Sequence, residues 1–164
     1  MRRELWLAER PAGMQAPIQT RGYAPAPSMV EIEVEYPGEL HATARHGPSG
    51  ASLATDAPKD NHGRGESFSP TDLVAAALAT CMLTVMGIVA RKNGWSLDGA
   101  TARVEKHMVA TPVRRIGRLP VSIRMPAGLP AVARPVLEHA ARTCPVHQSV
   151  HPEIDRPIVF TYPD

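Results

Sequence analysis

An unbroken apolar stretch, LVAAALATCMLTVMGIVA at positions 73–90, governs what this 164-residue chain can fold into. Its length reaches that of a candidate membrane helix. Alanines, two threonines and a glycine keep it weakly hydrophobic, however, and the rest of the chain is patterned for water, so we read a core helix and no membrane. A helix that is apolar all round belongs at the centre of a large core. Enclosing ~27 Å of it, at 1.5 Å per residue, strains what one small chain can supply. Packing the helix against its own copy in a homodimer meets the need. The aromatic content of 4% points the same way, because it leaves the core to small and aliphatic side chains.

The helix announces both of its ends. Ser69 suits the N-cap, Pro70 fits the first helical position where its missing N–H costs nothing, and Asp72 at the third can complete a capping box. Arg91 and Lys92 in the last turn complement the macrodipole, and Gly94 is placed to end it. Ahead of the helix, VEIEVEY at 30–36 alternates apolar residues with glutamate, the pattern of a strand with one buried face. Pro37-Gly38 turns it, residues 39–46 return as a second strand, and 51–55 make a third after another turn; 56–68 is a polar loop. Beyond the helix, 102–110 and 119–125 are predicted as strands joined by the basic stretch 111–118. Residues 130–143 are predicted helical, a short helix follows from Pro145 through Val150, and 157–162 closes as a strand. The order is that of an α+β domain spanning 29–164.

Residues 1–28 carry four prolines and no lasting periodicity. They are expected to form a flexible arm, and without an export signal the chain is expected in the cytoplasm. With 18 Lys+Arg against 16 Asp+Glu, the net charge of +2 gives no general grip on nucleic acid.

Two cysteines are too few for a disulfide scaffold and are followed singly. Cys81 lies twelve residues into the long helix, beyond reach of the helix N-terminus. Its apolar neighbours would raise a thiol pKa, so a reactive thiolate there needs a cation from elsewhere in the fold. Left alone, it is a small buried hydrophobe. Cys144 precedes Pro145 at the start of the last short helix, where free N–H groups favour a thiolate.

The run Ser69-Pro70-Thr71-Asp72 with the alanine-rich helix to Cys81, together with Cys144-Pro145-Val146, resembles the OsmC/Ohr family, the osmotically inducible and organic hydroperoxide resistance proteins. The likeness is to the OsmC-like branch and covers about residues 30–162. It implies an intertwined homodimer with antiparallel sheets wrapped around two central helices. It implies a thiol peroxidase needing no cofactor and no metal: Cys81 attacks an organic hydroperoxide and becomes a sulfenic acid, Cys144 condenses with it to a disulfide, and a lipoyl-type dithiol restores the pair. The cation beside Cys81 is an arginine in the family, a role open here to Arg45 in the second strand or Arg64 in the loop before Ser69. One departure stands out. Where characterised family peroxidases carry a glutamate that holds the arginine, this chain has Thr71, and the adjacent Asp72, at the third helical position, is expected to serve as a cap.

The other signals are weaker. Cys144-x-x-His147 is half a zinc site with no second pair, His147 and His107 lack any oxyanion-hole motif beside either cysteine, and Arg114, Arg115 and Arg118 read as surface or interface charges. The alternative to a peroxidase is a non-catalytic OsmC-like dimer that binds a small apolar ligand and uses its thiols as redox sensors.

Overall fold

The computed structural model describes residues 29–163, and the expected N-terminal arm at 1–28 lies outside them. The elements run β1 (Ile32–Gly38), β2 (His41–His46), β3 (Ser52–Asp56), α1 (Pro70–Lys92), β4 (Thr101–Val104), β5 (His107–Val109), β6 (Arg115–Arg118), β7 (Val121–Arg124), α2 (Ala133–Arg142), α3 (Pro145–Ser149) and β8 (Ile158–Thr161). The architecture is mixed α+β.

Strands β1, β2 and β3 form an antiparallel meander. The chain reverses at Glu39 and Leu40, with φ of 53° and 63°, two residues later than Pro37-Gly38 suggests. Both residues occupy the left-handed region that two-residue hairpin turns of the primed type require. Although β1 alternates as a half-buried strand should, Ile32, Val34 and Tyr36 are 58%, 65% and 67% exposed. The meander packs little on the other described elements, and among the described residues nothing covers this face.

Helix α1 begins and ends as its sequence dictates. The Ser69 Oγ accepts from the Asp72 N–H at 3.2 Å and an Asp72 carboxylate oxygen accepts from the Ser69 N–H at 2.8 Å. Gly94, at φ 71°, closes the far end: its N–H reaches the Arg91 carbonyl and the Trp95 N–H reaches that of Ala90, a Schellman motif. Leu78, Met82 and Met86 are fully buried along one side of α1 and join Leu137, Ala133 and Ala141 of α2 in the core. Each of the larger side chains contributes about 1.5–3 kcal/mol by leaving water. On the opposite side Ala77, Thr80, Thr84 and Ile88 form an exposed stripe at helical spacing, and only a third of the most apolar window of α1 is buried.

The second half departs from the strand pattern read in the sequence. Residues 102–110 are two strands, not one: β4 pairs antiparallel with β7, whereas β5 pairs with β6. The basic stretch 111–118, expected as a mere connection, contributes β6. Charged residues hid that strand. Ile116 is its buried member, and Gly117 leaves room for Val109 across the pair. Arg114, Arg115 and Arg118 make surface ion pairs with Asp60, Glu153 and Asp155. Strand β8 lies parallel to β7 and completes the sheet β4-β7-β8.

Candidate active site

The two sulfurs come from elements that pack together, α1 and α3. Cys81, on the middle of α1, is half-buried between the core-facing side and the exposed stripe. Cys144 is fully buried and is the N-cap of α3, where its Sγ accepts from the His147 N–H at 3.3 Å. Both are free thiols, and Cys81 lies near enough to Cys144 to act on its titration.

Burial pushes the Cys144 thiol above its ordinary value; the His147 amide works against this, and the Cys81 thiol adds to it. The helix-start amides that the sequence places beside Cys144 are therefore present but outweighed, because desolvation penalises the anion more than these hydrogen bonds favour it. Protonated and buried at neutral pH, Cys144 is suited to second place in a two-thiol sequence. His147 is held neutral, its pKa lowered first by burial and then by Arg156 and Arg142.

The two arginines named from sequence sit on exposed segments. Arg45 Nη1 lies 3.1 Å from Glu33 Oε2 across the β1–β2 pair, and Arg64 Nη2 lies 3.3 Å from Glu39 Oε2. Neither is hydrogen-bonded to Cys81 in this single chain.

A cation that the sequence reading missed occupies the start of α1. Lys106, between β4 and β5, has its Nζ 2.6 Å from Asp72 Oδ1, 2.9 Å from Thr71 Oγ1 and 3.2 Å from Ser69 Oγ. The signal was available: from residue 101 to 109 burial alternates strictly, and Lys106 shares the inward register of Ala102, Val104 and Met108. A lysine in an inward place calls for an anionic partner. It also lines an open cleft of about 640 Å³ with Phe68, Asp72, Ala75, Ala76 and Val104. Neither cysteine lines that cleft.

Desolvation works to raise the Asp72 pKa, but hydrogen bonds from Lys106 and Ser69 and the lysine charge outweigh it, so the carboxyl sits below its ordinary 3.8. A group with a depressed folded pKa stabilises the fold above its unfolded value and loses that contribution as pH falls through the folded one. Lys106→Met should therefore cost about 1–3 kcal/mol at pH 7. The gap from the parent should hold down to about pH 4 and narrow below it, as urea melts at pH 7, 5 and 3 will measure.

Comparison with known proteins agrees with this geometry. The family model for OsmC-like proteins matches residues 63–156, a span that contains both cysteines. A protein from Psychrobacter arcticus 273-4, named for an osmotic stress and detoxification response, is 41% identical, with a TM-score of 0.77 over 82% of this chain and 97% of that one. The organic hydroperoxide resistance protein OsmC of Legionella pneumophila is 19% identical, with a TM-score of 0.68 over 84% and 99%. The organic hydroperoxide resistance protein OhrB of Bacillus subtilis is 15% identical, with a TM-score of 0.62 over 83% and 100%. No functionally curated protein matches the chain significantly. A family match across more than half of the chain, together with a 41% identical relative that shares its fold, establishes that this protein belongs to the OsmC-like family.

Proposed function

We propose that the protein is a cysteine-based peroxidase that reduces organic hydroperoxides. The observation that carries this reading is the nearness of a half-buried thiol, Cys81, to a buried thiol, Cys144, on two elements that pack together. The Cys81 thiolate attacks the O–O bond of the hydroperoxide. An S–O bond forms, the O–O bond breaks, and the alkoxide takes a proton and leaves as the alcohol. Cys81 is now a sulfenic acid. The Cys144 sulfur displaces its hydroxyl, water departs, and the S–S bond forms. A dithiol reduces that disulfide by exchange and is itself oxidised to a cyclic disulfide.

Leu83 and Val85, on the same stretch of α1 and packed on the core, offer apolar surface for the organic part of a substrate. Names given to structural relatives in Legionella and Bacillus support the substrate class. Asp72 does not replace the family glutamate, because its oxygens are taken by Lys106 and by the cap. With Thr71 in that place, an arginine brought to Cys81 lacks that anchor, and a modest kcat/KM follows.

Two surfaces that no described residue covers support assembly as a homodimer: the apolar face of β1 and the exposed stripe of α1. A meander whose apolar face stays in water gains nothing from burying it, and exposed apolar patches of this kind mark interaction surfaces. In the dimer a meander brings Arg45 or Arg64 to Cys81. Sedimentation equilibrium should give twice the 17.7 kDa chain mass, and Thr84→Arg, a charge placed in the centre of the stripe, should yield monomers. A parent protein that sediments as a monomer contradicts the assembly. Activity itself is read by consumption of cumene hydroperoxide driven by a lipoyl-type dithiol. Sustained turnover is the expected result, and no consumption above the buffer rate overturns the proposal.

A further inference from the structure

Away from the cysteines, three potential metal ligands converge where the meander meets the loop that leads to α1. His41 opens β2 and Asp56 ends β3, and the two are register partners in that pair. Glu66 comes from the loop, whose backbone is fixed there because its N–H donates to Asp56 Oδ2 at 2.9 Å. His41 Nε2 lies 3.7 Å from Asp56 Oδ1 and 3.5 Å from Glu66 Oε2. All three ligand atoms fall within 4.8 Å of one another.

Two features separate this cluster from an ordinary surface ion pair. Asp56 is 1% exposed, and its Oδ1, the atom turned toward His41, has no hydrogen-bond partner among the described residues. Leaving a buried carboxylate oxygen unpaired is costly, so such an atom calls for a ligand. The second feature is the orientation of the His41 ring. Its Nδ1 lies 2.8 Å from the Glu39 carbonyl, which can only accept, so Nδ1 carries a proton and Nε2 is the ring atom turned toward the two carboxylates. Histidine ligands to metals are oriented by this kind of outer hydrogen bond.

The separations also discriminate between occupants. A protonated Nε2 bonded to a carboxylate would sit about 2.7–2.9 Å from its oxygen. Ligands placed at about 2.0–2.2 Å from a shared tetrahedral ion lie roughly 3.3–3.6 Å from each other. The observed 3.5 Å falls within the second range and 3.7 Å just beyond it, both well outside the first.

We propose that His41, Asp56 and Glu66 bind one divalent transition-metal ion of the zinc class, which pins the loop to the meander. One nitrogen and two carboxylate oxygens are donors suited to such an ion, with a coordination position left for water. The site is independent of the redox pair and of the peroxidase reading. The sequence reading expected no metal and did not find it, because 25 positions separate His41 from Glu66 and no spacing motif links them.

The test is calorimetric titration of Zn²⁺ into the full chain and into Cys81→Ser/Cys144→Ser, which removes the competing thiols. In that thiol-free background, one equivalent should still bind. Affinity should fall at least about tenfold with Glu66→Gln and further with His41→Ala. Glu66 is exposed at its side chain, so its substitution leaves the fold intact even if His41→Ala does not, and melting without metal verifies this. Equal affinity in the thiol-free protein with and without Glu66→Gln, or no binding in the thiol-free protein, overturns the site.

Discussion

Cys81→Ser should lower hydroperoxide turnover at least about 10³-fold while leaving the fold intact. The nucleophile is the group on which the whole scheme depends, and removing such a residue from a unit that acts together costs orders of magnitude. A serine hydroxyl is not ionised at neutral pH and does not displace an alkoxide from peroxide oxygen. The structure also says why the variant should fold. Cys81 is half-buried rather than sealed in the core, and Thr80 and Thr84 on the same helix already turn their hydroxyls back to the carbonyls of Ala76 and Thr80. A serine between them can do the same toward the preceding turn. Circular dichroism and a melting curve close to the parent's should accompany the lost activity. Equal turnover by Cys81→Ser and the parent removes the peroxidase assignment.

Cys144→Ser should convert a catalyst into a reagent. Serine keeps the N-cap of α3, since its hydroxyl accepts from the His147 N–H as the sulfur does now. What disappears is the second sulfur. Such a protein should consume one equivalent of hydroperoxide per chain and stop, with Cys81 trapped as a sulfenic acid that a dimedone adduct reports by mass. Excess hydroperoxide should drive it to the sulfinic acid, which dithiols do not reverse. Sustained dithiol-driven turnover at the parent rate would show that Cys144 is not the resolving thiol.

Much of this molecule could be read from local chemistry. Helix α1 was legible at both ends because its capping box and its glycine stop are encoded within a few residues of each end. The N-cap place of Cys144 followed in the same way from Pro145. What escaped depends on contacts remote in sequence. Strand β6 was masked by Arg114, Arg115 and Arg118, whose charges face solvent while Ile116 alone faces inward. The break between β4 and β5 came from the change of partner strand, which no local pattern records. Lys106 illustrates the intermediate case. Its inward register could be read from the alternation of 101–109, but its partners Asp72 and Thr71 lie 34 and 35 positions away. The approach of Cys144 to Cys81 across 63 positions is of the same kind: no local pattern records it, and it rests on the packing of α3 on α1. The family arginine is the part least tied down by a single chain, because Arg45 and Arg64 each hold a glutamate on the meander.

The most direct test of the account is a thiol count on the reduced protein before and after one equivalent of cumene hydroperoxide, followed by mass mapping of the peptides. The account predicts that two thiols vanish together and that the Cys81 and Cys144 peptides appear as one cross-linked species. Two thiols still titratable after the oxidant is added, or a single oxidised cysteine with no cross-link, would contradict it.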